Sequence, residues 1–308
     1  MATPANINTL NQFAKGLFQK TSSPIADMLA PVVVTGAAQF SVIDYAKRSS
    51  FQTPSAKRAI GGDSTAVITD GERVSISLAP YALHDVIDNH ELALATDGEG
   101  SRLLREARIQ NLVSQAGNSR LKETLTTLRT GVSASAEVWG ASDDAVSDID
   151  GYMETIATAT GNIPNYVVFS LGAWKIFKNS AAVKARLTAG NTKTKDAVVM
   201  LGDIGALFLN PNTKCSVATA SFDAPLNAST SKAQALVDTN PEVWVYYREE
   251  SANTFDASAF KTFRVKANPF GAVRLSMKDF GEKWITEWTE TAYVNNASAA
   301  ARLTITTS

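Results

Sequence analysis

The sequence predicts an α+β fold, and three features carry that prediction. Helical periodicity is sustained from Ser101 to Thr130, far beyond the usual helix. The C-terminal part is strand-rich, with "VWVYYRE", "FKTFRVK", "AVRLSMKDF", "KWITEWTETAY" and "AARLTITTS" in succession. Between the first elements and the long helix lies a polar stretch, from Ala46 to Arg73, with too few apolar residues to fill a core.

Taken in order, Ile7, Leu10, Phe13, Ala14, Leu17 and Phe18 recur at helical spacing, so residues 1–20 form a short amphipathic helix. "TSSP" breaks it. "IADMLAPVVVT" then runs from a short helix into an extended segment, because Pro31 disfavours helical geometry in the residue before it. "AAQFSVIDYAKR" reads as a strand. After the polar stretch with Pro54, Gly61 and Gly62 come "STAVIT", a turn at "DGER" and "VSISLAPYAL", in which Val74, Ile76 and Leu78 alternate with Ser75 and Ser77. This is an extended two-stranded arm with its tip near "SSFQTPSAKRAIGGD".

In the long helix Ile109, Leu112, Val113 and Ala116 share one face, which Leu121, Leu125 and Leu128 continue. Ser101 or Asp97 is expected to cap its start, and Gly117 and Asn118 to bend it. Arg129 suits the negative end of its dipole, and Gly131 sits where a left-handed cap would end it. "SDDAVSDIDGYMETIATATG" is a second helix that turns Ile149, Met153, Ile156 and Ala157 inward and stops at Gly161, with Asp143 and Asp144 favoured by the dipole at its start. "NIPNYVVFS" is a buried strand, and "LGAWKIFKN" and "AAVKARLTA" are short helices. "NTKTK" is a polar loop, "AVVMLGDIGALFLNP" a helical turn followed by a strand around Leu207 to Leu209, and "ASFDAPLNASTSKAQALVD" a surface loop.

Composition excludes several functions. With 44% hydrophobic and 19% charged residues the chain belongs with soluble globular proteins, and no apolar run approaches a membrane span. Its N-terminus lacks the features of a secretory signal. One cysteine, Cys215, rules out an internal disulfide or a cysteine-based zinc cluster and reads as a structural thiol. A net charge of -1 gives the chain as a whole no electrostatic footprint for gripping nucleic acid.

"HDVIDNHE" holds both histidines, His84 and His90, among Asp85, Asp88 and Glu91, with Asp97 a little further on. An extended segment would put His84, Asp88 and His90 on one face with Val86. A helical one would pair His84 with Asp88 and separate the histidines. Neither spacing matches a zinc-hydrolase helix or a calcium loop, so the segment is a solvated, charged joint. There is no G-x-S-x-G elbow, no P-loop and no G-x-G-x-x-G after a strand. No catalytic, cofactor-binding or metal-binding residue is assigned; the one enzymatic alternative is a hydrolase using His84 or His90. Trp139, Trp174, Trp244, Trp284 and Trp288 are scattered without interleaved cations and belong to the core.

This order of elements resembles the Hong Kong 97-like major capsid proteins of tailed bacteriophages, along essentially the whole chain. Ala46 to Arg73 look like the family's extended loop and Ser101 to Thr130 like its spine helix. "GNIPNYVVFSLGAWKIFKN" looks like the opening of the axial domain and "KWITEWTETAYVNNASAAARLTITTS" like the closing strands of the peripheral domain. The resemblance implies an N-terminal arm at 1–37, the extended loop with its flanking strands at 38–83, and a first peripheral part with the spine helix at 84–141. It further implies an axial domain at 142–259 and return strands, mainly peripheral, at 260–308. It also implies a non-enzymatic virion protein, without cofactor or membrane contact, that assembles in the host cytoplasm. The shell would be icosahedral, made of hexamers and pentamers, and would enclose double-stranded DNA without reading its sequence. The resemblance further implies a portal, and a decoration protein as an optional partner. A separate scaffolding protein is expected because the arm begins almost at Met1. An encapsulin-like compartment shell is the alternative with the same fold. Phe51, Lys57, Arg58, Val74, Ile76, Leu78, Phe13 and Phe18 are the expected intersubunit contacts, an adjacent subunit covering the apolar face of the hairpin. One branch of the family crosslinks subunits; on that pattern Lys47 or Lys57 would supply the amine and Asn295 or Asn296 the partner.

Overall fold

The computed structural model describes residues 4–20, 23–43, 73–95, 98–140, 143–188, 201–218, 241–249 and 256–307. Its elements begin with α1 (Pro4–Lys20), α2 (Ser23–Leu29), β1 (Val32–Thr35), β2 (Gln39–Ile43), β3 (Arg73–Ser77), β4 (Ala79–Asp88), α3 (Asn89–Leu94) and α4 (Gly98–Gly131). There follow β5 (Ala134–Val138), α5 (Ala145–Thr160), β6 (Tyr166–Ser170), α6 (Leu171–Asn179), α7 (Ala181–Thr188), α8 (Leu201–Ile204) and β7 (Lys214–Ala218). The chain closes with β8 (Glu242–Tyr246), β9 (Phe260–Val265), β10 (Val273–Lys278), β11 (Gly281–Val294) and β12 (Ala300–Thr306).

The apolar stripe of α4 changes partners along its 34 residues, a length of roughly 51 Å at 1.5 Å per residue. Ile109, Leu112, Val113 and Ala116 bury against Leu10, Ala14 and Phe18 of α1 and against Ile87, Trp284 and Trp288. Leu121, Leu125 and Leu128 bury instead against Ala26 and Leu29 of α2 and against Trp244 and Tyr246 of β8. One helix therefore lies on two sheets.

The first sheet is organised by β11. Its N-terminal part lies between β10 and β4, and its last residues, Glu290 to Val294, pair with β9, which takes β1 as a parallel neighbour. The second sheet has the order β5-β12-β8-β6-β7, with parallel pairs at its two edges. Both faces of its centre are covered, which is why "EVWVY" carries no polar alternation. Val243 and Val245 meet α5 and α6 residues such as Ile149, Met153 and Phe177, while Trp244 and Tyr246 face α4 and α2. A two-stranded ribbon of β2 and β3 completes the described sheets.

Several expectations are corrected. Leu207 to Leu209 are not a strand: a 3-10 turn at Gly205–Leu207 leads into a reversal in which Thr213 N–H donates to the Asn210 carbonyl, and the strand follows as β7. Ser101 lies inside α4, its hydroxyl donating to the Ala95 carbonyl rather than capping the helix; Asp97 lies outside the described residues. Gly131 is not left-handed. A Cβ there would strike Val294, so the glycine admits the end of β11. Gly161 does end α5 in the left-handed region, at φ 72°. The last strand, β12, leaves the first sheet and pairs with β5 and β8 in the second.

Arginines of α4 fasten it to different elements. Arg105 makes paired bonds of 2.8 and 2.7 Å to Glu282 at the start of β11, and Arg129 reaches Glu242 of β8 at 2.8 Å. Arg120, with 1% of its side chain exposed, meets Glu290 at 2.6 Å and Asp27 at 2.5 Å, and Arg264 of β9 holds the second oxygen of Glu290 at 2.7 Å. Burial opposes the Arg120 charge, but Glu290 and Asp27 more than offset it and hold its pKa above the ordinary arginine value.

Removing one member of such a group strands its buried partners. Arg120→Ala should cost about 3–5 kcal/mol in denaturant unfolding. Arg102→Ala on the same helix, where the exposed side chain pairs with Glu99 and Glu106, should cost less than about 1 kcal/mol. At Gly281 an added Cβ would collide with the Ile87 carbonyl of β4, so Gly281→Ala should lower stability by about 1–3 kcal/mol in the same assay.

Candidate assembly surfaces

The base of the two-stranded arm is built from the alternation seen in the sequence. β2 and β3 pair antiparallel with Phe40 opposite Ile76 and Val42 opposite Val74. Val42, Ile76 and Leu78 are buried, but against Val33 of β1 and Phe263 of β9 in the same chain, with Val74 half-buried at the margin. Phe40 meets Phe263 edge-on at 4.9 Å. The expectation that an adjacent subunit covers this face is corrected: at Ile76 and Leu78 the chain covers it itself. The remainder of the arm, with Lys47, Phe51, Lys57 and Arg58, lies outside the described residues.

Phe13 and Phe18 also turn inward. Phe18 is buried in the α1–α4 cluster and packs edge-on against Phe270 at 4.7 Å, and Phe13 is half-buried against the same group. The eight expected contact residues therefore separate into an arm base, a second core cluster, and three positions outside the described residues.

Strand geometry holds through Asp88 in the histidine segment, and then α3 begins. His84 is exposed on β4 opposite Ile285, and His90 is exposed in the first turn of α3, so the two do not share a strand face. The acids serve structure. Asp88 caps α3 by accepting from the His90 backbone N–H at 2.7 Å. Asp85 accepts from the Val86 N–H and lies 3.7 Å from Arg108 of α4, which bonds Glu91 at 2.8 Å. Among the described residues no group of three or more His, Cys, Asp or Glu is placed to hold a metal ion. Burial pushes the Cys215 thiol up to about 12, so it stays protonated at neutral pH.

Asn295 and Asn296, the carboxamides considered for crosslinking, are buried in their own subunit. Asn295 donates to the carbonyls of Asp256 at 3.1 Å and Ser258 at 3.0 Å, and Asn296 caps the turn at Ala297–Ala299. Sequence reasoning missed a set of exposed large apolar side chains. Met277 lies near the end of β10 and Phe280 in the β10–β11 turn, where its carbonyl accepts from the Asn89 N–H of α3, while Leu94 ends α3 and Leu103 lies near the start of α4. The signal was present in "MKDFG", where an aromatic residue sits in a turn.

No protein-family profile matches the chain, and no curated protein is similar to it in sequence. Solved structures are. The chain is similar to a phage-related protein from Bordetella bronchiseptica RB50, at TM-score 0.67 and 17% identity over 96% of each chain. It is similar to the mature capsid of bacteriophage PhiM1, at TM-score 0.53 and 12% identity over 89% of this chain and 84% of that one. A third is the SrpI encapsulin of Synechococcus elongatus PCC 7942, at TM-score 0.53 and 10% identity over 92% and 87%. With one spine helix laid across two sheets and a two-stranded arm rooted beside it, this chain has the Hong Kong 97-like fold of phage capsid proteins.

Proposed function

We propose that the chain is the major capsid protein of a tailed double-stranded DNA bacteriophage. It self-assembles in the host cytoplasm into hexamers and pentamers of an icosahedral shell, and it has no catalytic role. The observation that carries this reading is the likeness in fold over 96% of both chains to a phage-related protein. A net charge of -1 fits a shell that encloses a genome without gripping it. A scaffolding protein guides assembly, a portal occupies one vertex, and a decoration protein joins the finished shell.

The arm is the proposed reach between subunits. Its base spends its apolar residues inside its own subunit, so the contact with the neighbour falls to the rest of the extended loop, which carries Phe51 and the basic pairs Lys47–Arg48 and Lys57–Arg58. A second reading, an encapsulin-like compartment with protein cargo, is favoured by the likeness to the SrpI encapsulin. The contents of purified particles separate the two: packaged DNA supports the phage shell and a protein cargo the compartment.

Co-expression with the scaffolding partner should give closed particles by electron microscopy; a chain that stays monomeric under all such conditions would sink the proposal. Replacing residues 50–68 with a tight turn should leave the circular dichroism spectrum and thermal midpoint of the subunit unchanged while abolishing shell formation. Unimpaired assembly of that variant would remove the loop from its role.

A further inference from the structure

Lysine is among the costliest residues to bury, yet Lys261 of β9 is wholly enclosed. Its Nζ lies 3.1 Å from Asp256 Oδ1 and donates to the Asp256 carbonyl at 3.0 Å, and the Asp256 side chain is equally enclosed. That same carbonyl accepts from Asn295 Nδ2 at 3.1 Å, and the Ser258 carbonyl takes the second amide hydrogen at 3.0 Å. The amine and the carboxamide therefore converge on one oxygen. Asn295 Oδ1 is buried with no hydrogen-bond partner among the described residues.

The strand register makes the meeting close. Lys261 pairs with Tyr293 and Phe260 with Val294, and Asn295 N–H then donates to the Ala259 carbonyl. Lys261 and Asn295 are thus diagonal neighbours on one face, at a separation of about 7–8 Å that a lysine side chain spans. Burial, partly offset by Asp256 and Glu249, lowers the Lys261 pKa and favours the neutral amine that a nucleophile requires.

We propose that Lys261 and Asn295 become joined by an intramolecular isopeptide bond that staples β9 to the end of β11. The Nζ lone pair adds to Cγ of Asn295, and the new C–N bond forms as the Cγ–Nδ2 bond breaks. Asp256 takes a proton from Nζ and passes it to Nδ2, which departs as ammonia. Nothing is oxidised or reduced, and no outside reactant enters. Water is excluded from the site, which favours aminolysis over hydrolysis of the amide. The unpartnered Oδ1 is the oxygen on which charge develops during the attack. The inference does not depend on the shell reading, because it concerns one subunit.

Intact-mass spectrometry of the denatured full-length protein tests it. After prolonged incubation of the folded protein at neutral pH, the mass should fall short of the sequence mass, corrected for any loss of Met1, by one ammonia. Digestion should yield a branched peptide joining the segments around Lys261 and Asn295. Lys261→Met and Asn295→Ala should each restore the full mass. The wild-type measurement stands even if a variant fails to fold. A wild-type chain of full sequence mass would overturn the proposal, as would an ammonia deficit mapped by fragmentation to a succinimide or to any other residue.

Discussion

The arrangement depends on how one buried guanidinium is satisfied. Arg120 sits near the point where α4 passes from one sheet to the other, and its two acids come from different parts of the chain: Asp27 from α2 and Glu290 from β11. Glu290 also binds Arg264 of β9, so helix, long strand and neighbouring strand share one carboxylate. A charge this buried is tolerated only when its partners are all in place. Its placement therefore fixes the seating of α4 together with the packing of its apolar stripe. The Phe270 ring, 5.0 Å from the guanidinium carbon, closes one side of the site and ties it to the α1 cluster through Phe18.

β11 has the complementary role. It is the one strand in the described first sheet that touches β4, β9 and β10, and α4 lies against it through Trp284 and Trp288. The arginines at both ends of their contact, Arg105 on Glu282 and Arg120 on Glu290, fix the strand's register against the helix. A slip of one residue along β11 would turn both glutamates to the other face. Register in the first sheet and seating of the spine are thus one constraint expressed twice.

Much of this was legible in the sequence, and the failures have physical causes. α4 could be read because its stripe is long and regular, and β3 because Val74, Ile76 and Leu78 alternate against serines. β5 could not be read: "ASAEV" is an edge strand whose pairing to β12 is set by partners far away in the chain. The extended segment in "GALFLNP" looked like a strand because Leu207, Phe208 and Leu209 are apolar; the turn chemistry of Asn210, Pro211 and Asn212 displaces the strand to β7. Pattern reports which residues avoid water but not which molecule covers them. That is why Phe18, Ile76 and Leu78 were assigned to a neighbour and proved to be covered at home. The pairs that fasten α4 to the sheets, Arg105–Glu282, Arg120–Glu290 and Arg129–Glu242, were invisible for the same reason, since each joins residues far apart in sequence.

The inward-facing base of the arm bears on how such a subunit can assemble. A hairpin is unstable by itself in water, and one that stayed unanchored until a neighbour arrived would carry an exposed apolar edge through folding. Here Val42, Ile76 and Leu78 join Val33 and Phe263 within the subunit, and the Ala79 backbone N–H is held by Thr291 of β11 at 3.0 Å. The root of the arm is therefore fixed before any second copy is present. Under the proposed function, what this leaves for assembly is the segment beyond the root, whose sequence is polar. That division suits a shell subunit, because it separates the large, cooperative free energy of folding from the small, reversible one of each intersubunit contact, and reversibility lets a growing shell correct a misplaced subunit.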